Sequence, residues 1–124
     1  MKILLAVTVL AFASLGSAKA ADLSAADKAA IFKAAGFKAQ GKNFVRCAED
    51  TSASRLPGSI EMQDLNADGR NEAIVSESSL FCYGNTEQAF VILTQDAKGA
   101  WTVLLDEVGV PKPLEEKQNG WRNI

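Results

Sequence analysis

The sequence contains no histidine in its 124 residues. Histidine is the side chain that titrates near neutral pH, the commonest zinc ligand and the usual base that activates a serine or cysteine nucleophile. Its absence weighs against most classes of enzyme and leaves carboxylates as the groups available for acid–base chemistry. We therefore predict a protein that is not an enzyme, and a carboxylate-dependent hydrolase is only the third choice of function.

The sequence also lacks an apolar run long enough to span a membrane, which takes about 20 residues. Its first 20 residues combine Lys2, an apolar run over residues 3–15 and the small-residue motif Ala18-Lys19-Ala20. This is the pattern of a secretory signal peptide that is cleaved on export. We predict that cleavage leaves residues 21–124 as a single domain in the periplasm or the medium, without a membrane anchor.

Basic charge is scarce in the predicted mature chain. Loss of residues 1–20 removes two lysines and no acids, which leaves 11 basic and 15 acidic side chains and a net charge of −4. Nucleic acids and anionic membrane surfaces attract proteins through basic faces. We predict neither as a partner, and expect instead an unidentified protein or saccharide of the cell envelope.

Cysteine is limited to two residues, Cys47 and Cys82. An even count in an exported protein indicates one disulfide, which would close a loop of roughly 35 residues and stabilise the fold by about 3 to 4 kcal/mol. Two separate buried thiols and a metal-binding pair are the alternatives, although the spacing differs from C-x-x-C. A catalytic thiol is the weakest alternative, because no histidine is present to activate it.

The mature chain opens with the signals of a short helix over residues 25–35. Ser24 can cap its free amides, Asp27 stands where a capping-box acid belongs, and Gly36 suits a left-handed helix end. The apolar side chains of this segment are spaced for packing against a sheet.

Strand patterns follow the helix. A short candidate covers residues 43–47, and four longer ones cover residues 59–65, 72–77, 88–94 and 100–106. Residues 48–58 predict a surface loop, the tail after Val110 predicts irregular structure, and Trp101, Val103 and Leu105 predict one shared face. The order indicates an α+β fold in which an N-terminal helix packs on a small antiparallel β-meander sheet with one disulfide.

Residues 64–72 carry the most specific chemical pattern in the chain. Oxygen-bearing side chains stand at alternate positions, with Asp64 first, Asn66 third and Asp68 fifth, and Gly69 stands sixth. Calcium takes six to eight hard oxygen ligands, so a loop that wraps one ion must aim alternate side chains inward. This pattern predicts a Ca²⁺ loop.

Two further ligands complete the predicted calcium loop. The backbone carbonyl of Arg70 would serve at the seventh position and the carboxylate of Glu72 at the ninth. The loop departs from an EF-hand, because Val75 stands where the bidentate glutamate would be and the flanks read as strands. The alternative is a β-turn whose Asp, Asn and Gly residues tolerate turn geometry and cap backbone amides.

The pattern Asp64-x-Asn66-x-Asp68-Gly69-x-x-Glu72 before an apolar strand is similar to the calcium loops of FG-GAP and VCBS repeats, which join adjacent strands in β-propellers. Over most of residues 24–124 the chain also resembles a group of small exported proteobacterial proteins without assigned function. This second resemblance is carried by the loop and by the segments AAIFKAAGF (29–37), PGSIE (57–61) and FCYGNT (81–86). It implies no catalytic residues and a further cysteine-containing β segment after the region of residues 120–124.

We therefore predict an exported, non-enzymatic binding or interaction module whose loop at residues 64–72 holds calcium for stability. The main alternative is a periplasmic inhibitor of a hydrolase, which would present an exposed loop such as residues 48–58.

Overall fold

The computed structural model describes residues 23–124, and the predicted signal peptide at residues 1–20 lies outside this range. The fold is α+β, as predicted, and most of its elements are strands. In chain order its elements are α1 (Ala25–Ala34), β1 (Lys38–Gln40), β2 (Asn43–Val45), β3 (Leu56–Gln63), β4 (Glu72–Ser78), α2 (Leu80–Tyr83), a 3₁₀ turn (Gly84–Thr86), β5 (Gln88–Gln95), β6 (Trp101–Val108), β7 (Lys117–Gln118) and β8 (Trp121–Arg122).

Helix α1 begins and ends where its capping residues predict. The Ser24 hydroxyl accepts a hydrogen bond from the Asp27 amide at 3.0 Å and donates one to the Asp27 carboxylate at 2.7 Å. Gly36 follows the helix at a φ of 83°, a left-handed conformation that glycine adopts without strain. Ile31 and Phe32 are the buried side chains of the helix, so α1 is held mainly by its packing on the sheet.

The central sheet is a four-stranded antiparallel meander in the order β3-β4-β5-β6. The predicted short strand at residues 43–47 is β2, which pairs with β1 in a separate hairpin. Because consecutive strands pair throughout, each connection lies at one end of the sheet. The β3–β4 and β5–β6 connections share one end, and the β4–β5 connection lies at the other.

The sheet carries an apolar cluster on each face. The first cluster joins the sheet to α1 and consists of Ile31, Phe32, Ala35, Phe37, Met62, Ala73, Val75, Val91 and Leu93. The second cluster lies on the opposite face and consists of Leu65, Ile74, Phe90 and Ile92, with Leu105 and Trp121 packed against it. The second face is therefore covered by the C-terminal segment and not by a helix.

The predicted alternation of Trp101, Val103 and Leu105 onto one face is wrong. The register of β6 against β5 shifts between Ile92 and Leu93, so that Leu105 lies opposite Ile92 while Val103 lies opposite Leu93. The extra residue is Leu104, and such a β-bulge reverses the face of every later side chain. Trp101 consequently packs in the first cluster and Leu105 in the second.

The predicted loop at residues 48–58 is shorter than expected, because β3 already begins at Leu56 and contains Pro57 and Gly58. Gly58 lies directly beneath two aromatic rings. A Cβ at this position would stand 2.6 Å from Phe32 Cε1 and 2.8 Å from Phe37 Cε1. The glycine is thus part of a strand that the rings approach closely, and not a loop residue.

The tail is more regular than predicted, because β7 and β8 form a hairpin. Asn119 and Gly120 form its turn at φ values of 53° and 84°. Two positive φ values in a row are typical of the Asn-Gly hairpin turn. The Arg122 amide donates to the Leu65 carbonyl at 2.9 Å, which ties this hairpin to the start of the predicted calcium loop.

Candidate functional site

The predicted calcium loop connects β3 to β4 at one end of the sheet. Ala67 and Gly69 take positive φ values of 59° and 84°, which turn the chain sharply. Glu72 is already the first residue of β4. The predicted ligands therefore sit on a tight turn between two paired strands, and the last of them is anchored in the sheet.

Side-chain oxygens bind backbone amides throughout this loop. Asp64 Oδ2 accepts from the Gly69 amide at 2.9 Å, which spans the turn. Two further bonds join residues that are two apart in sequence. Asn66 Oδ1 accepts from the Asp68 amide at 3.2 Å, and Asp68 Oδ1 accepts from the Arg70 amide at 2.8 Å. These bonds preorganise the turn, and they also satisfy the turn-only interpretation of the same residues.

Glu72 is the residue that a simple turn does not explain. Its side chain is 1% exposed. One carboxylate oxygen accepts from the Leu65 amide at 2.7 Å and the other from the Thr94 hydroxyl at 3.3 Å. No salt bridge reaches it among residues 23–124, since Arg70 pairs with Asp68 at 3.8 Å instead. A buried carboxylate without a cation is costly in free energy.

Burial raises the pKa of the Glu72 carboxyl above its ordinary value. The hydrogen bond from the Leu65 amide opposes this shift, and the negative charges of Asp68 and Asp64 add to it. The Glu72 carboxylate is therefore repelled by Asp68 and Asp64, and no cationic side chain pairs with it within residues 23–124.

The donor set of this loop fits calcium, because it consists of carboxylate, amide and carbonyl oxygens, the hard ligands that calcium prefers. The carboxylate oxygens of Asp64, Asp68 and Glu72 do not all lie within 4.8 Å of one another. Among the described residues, the acids and cysteines whose possible ligand atoms all lie within 4.8 Å of one another are Cys47, Glu49 and Cys82. In that group both sulfurs belong to a disulfide and are not available as thiolate ligands.

The predicted disulfide between Cys47 and Cys82 is present, with a Cα–Cα distance of 6.3 Å and 35 residues of sequence separation. It joins the loop after β2 to α2, at the end of the sheet opposite the predicted calcium loop. The sequence does not predict α2, although Ser79 offers a suitable N-cap: its hydroxyl accepts from the Cys82 amide at 3.1 Å.

The loop at residues 46–55 is held from inside by Asp50. This side chain is 4% exposed and accepts from the Ser52 amide at 2.8 Å and from the Ser79 hydroxyl at 2.7 Å. Hydrogen bonds from Ser52 and then from Ser79 lower the pKa of Asp50. Arg55 also holds this loop, because its Nη1 donates to the Asp50 carbonyl at 2.7 Å. We call residues 46–55 the braced loop.

Ser79 and Asp50 do not form a catalytic pair. Ser79 is 1% exposed, and its hydroxyl already acts as the cap of α2. A carboxylate with a lowered pKa is a weak base for activating a hydroxyl, and no histidine is available to replace it. The contact between the two side chains therefore serves structure.

No protein-family model, curated protein or solved structure matches the chain. The resemblances to FG-GAP and VCBS loops and to small exported proteobacterial proteins thus stay predictions. Within residues 23–124, no helix has the length and apolar character needed to cross a bilayer.

Leu80 and Phe81 stand out next to the braced loop. Phe81 is 73% exposed and Leu80 is 58% exposed, although α2 is fixed by the disulfide and by its cap. The two side chains line an open cavity of about 480 Å³ together with Glu49, Asp50 and Thr51. An exposed aromatic on a rigid element is typical of a surface that binds another molecule.

Proposed function

We propose that the protein is an exported, non-enzymatic binding module in which residues 64–72 hold calcium for stability. One observation carries the calcium part: Glu72 is a buried carboxylate with no cationic partner among the described residues, next to Asp64 and Asp68. Asp64, Asn66, Asp68, Glu72 and the Arg70 carbonyl would hold the ion. Bound calcium would supply positive charge to the loop, and the disulfide supports export, because such bonds persist in oxidising compartments.

Calcium titration of residues 21–124 tests the first part. We expect saturable binding by calorimetry and a stabilisation of about 2.7 kcal/mol at a calcium concentration 100 times the dissociation constant. Equal melting in calcium and in chelator, without binding heat, would exclude the calcium role.

Glu72→Gln sharpens this test. A glutamine amide can accept from the Leu65 amide and donate to the Thr94 hydroxyl, so the contacts of the buried side chain are kept while its charge is removed. We expect the variant to be at least as stable as wild type in chelator and to gain little from calcium. Glu61→Gln, an exposed acid on β3, is the control for net charge and should keep the full calcium response.

Binding of a protein or saccharide of the cell envelope is the second part of the proposal. The exposed Leu80–Phe81 pair supports it, because a disulfide and a helix cap fix the short helix that presents these side chains to solvent. A rigid aromatic loses little conformational entropy when it is buried by a partner. Inhibition of a hydrolase is the second candidate function. The hydrogen bonds of Asp50 and Arg55 favour it, because they fix the shape of the braced loop.

Affinity capture with matched variants separates these two functions. Immobilised wild-type protein and the Phe81→Ser variant are compared on periplasmic extract, with Val110→Ser as the control because Val110 is also exposed. A protein or glycan retained by wild type and by the control but lost with Phe81→Ser supports the binding surface. A retained hydrolase whose activity falls on addition of the protein would identify an inhibitor. Equal retention of a partner by all three proteins would contradict the role of Phe81, and retention of no partner by any of them would contradict both functions.

A further inference from the structure

The second apolar cluster borders a cavity that is open to solvent. It has a volume of about 240 Å³ and lies between the sheet and the C-terminal hairpin. Leu65, Ile92, Leu105 and Trp121 contribute to its lining. An apolar cavity of about 150 Å³ is enough to bind benzene. This cavity therefore has room for an apolar group of six or slightly more carbons.

Arg122 is the one charged side chain that lines this cavity in the described part of the chain. Its Nε donates to the Leu114 carbonyl at 2.5 Å, and its Nη2 donates to the Pro113 carbonyl at 3.1 Å and to Glu115 Oε1 at 3.0 Å. These bonds fix the plane of the guanidinium group. A fixed guanidinium beside an apolar space is suited to binding an anionic group in one orientation.

Nη1 of Arg122 is available to a ligand. It makes no hydrogen bond to any residue from 23 to 124. In the same range no buried side-chain nitrogen lacks a partner, so Nη1 is accessible to solvent. Glu115 does not neutralise the guanidinium strongly, because its side chain is 97% exposed and such surface ion pairs contribute little.

We propose that this cavity is a binding site for a small amphiphilic anion, whose alkyl chain enters the apolar space while its head group binds the Arg122 guanidinium. None of the predicted calcium ligands lines this site, although Leu65 of the calcium loop does. The ligand class follows from charge complementarity with Arg122 and from the size and apolar lining of the cavity.

Calorimetric titration with three six-carbon probes tests the ligand class. Hexanoate, hexanol and hexylammonium share the chain and differ in the charge of the head group. We expect hexanoate to bind about tenfold more tightly than hexanol, the effect of one charge-assisted hydrogen bond, and hexylammonium to bind most weakly. Equal affinities, or no saturable binding of hexanoate, would overturn the proposal. The titrations use calcium-free buffer, so a failure of the calcium role is detected separately.

A cavity-filling variant tests the location. Leu104 lines the cavity and is 47% exposed, so Leu104→Trp places added bulk at its mouth with little cost to the core. Val108→Trp, on the same strand at 55% exposure and away from the cavity, is the control. We expect hexanoate affinity to fall at least tenfold in the first variant and to stay unchanged in the second, with melting curves that confirm folding of both. Unchanged affinity in Leu104→Trp would place the ligand elsewhere and overturn the proposal.

Discussion

At the residue scale, three buried acids serve different purposes in this molecule. Glu77 accepts from the backbone amides of Arg46 and Cys47 at 2.7 and 2.9 Å, which anchors the end of β2 to the sheet. Asp50 accepts from the Ser52 amide within its own loop. Glu72 accepts from the Leu65 amide and so joins the two ends of the acidic loop, residues 64–72. Glu72 differs from Asp50 because burial raises the pKa of Glu72, whereas hydrogen bonds lower the pKa of Asp50.

Asp50 gives a prediction for acid pH. Its pKa is lowered in the folded state, so its ionised form stabilises the protein above the unfolded-state pKa, and this contribution disappears as the pH falls through the lower folded-state pKa. Asp50→Asn removes this contribution at every pH. We expect wild type to be more stable than the variant at neutral pH, and the difference to shrink as the pH is lowered below about 4.

Urea unfolding of both proteins across this pH range measures the difference. Glu49→Gln, on the exposed neighbouring residue, controls for the loss of one acid. A difference that stays constant from neutral pH to strongly acidic pH would show that the Asp50 charge is not what holds the loop.

At the element scale, the parts of the fold that the sequence predicts are those with local causes. Ser24 and Gly36 mark the ends of α1, and short continuous runs of apolar residues mark β4 and β5. The bulge at Leu104 was not predictable from the spacing, because it depends on how β6 meets β5. The hairpin β7–β8 had a local signal in Asn119-Gly120, but its short strands lack the apolar alternation that identifies longer ones.

The candidate site shows the same division. The ligand pattern at residues 64–72 is visible in the sequence because it is contiguous. The Glu72 carboxylate is held by hydrogen bonds from Leu65 and Thr94, and Thr94 comes from a different strand. The cavity beside Arg122 joins residues from the loop, the sheet and the tail, and no spacing rule connects them. Sites assembled by tertiary packing require the fold before they can be recognised.

Strand β3 gives a prediction about packing between elements. Gly58→Ala would place a Cβ against the Phe32 and Phe37 rings at distances that require the rings or the strand to move. We expect the free energy of unfolding to fall by about 1 to 3 kcal/mol, the usual range for overpacking a core. Chemical denaturation measures the change, and Ser59→Ala on the exposed side of the same strand is the control. A Gly58→Ala variant as stable as the control would mean that the rings yield without cost.

At the scale of the whole molecule, the two ends of the sheet are built by different means. One end carries the disulfide, α2 and the braced loop, with Leu80 and Phe81 exposed. The other carries the acidic loop, and Leu65 links it to the C-terminal hairpin through the Arg122 amide. Strand β4 separates them, and its seven residues span roughly 20 Å at about 3.3 Å per residue.

This separation predicts that the two ends contribute independently to stability. Replacing both Cys47 and Cys82 by alanine should lower the free energy of unfolding by about 3 to 4 kcal/mol. Ile74→Val, in the second apolar cluster, should cost about 0.5 to 1.5 kcal/mol. Ile74 lies five residues before Ser79, the residue after β4 that contacts Cys47. We therefore expect the combined variant to show the sum within about 0.5 kcal/mol.

Urea denaturation of the four proteins completes this double-mutant cycle, with equal slopes required so that the free energies can be compared. A coupling above about 1 kcal/mol would mean that loss of the disulfide also disturbs the packing of the second cluster, which borders the cavity beside Arg122. Additive costs would mean that loss of the disulfide leaves the packing of the second cluster around Ile74 unchanged. We expect additive costs, because the hydrogen-bonded register of β4 with β5 continues unbroken from Ala73 to Ser78 and so keeps the strand in place between the two ends.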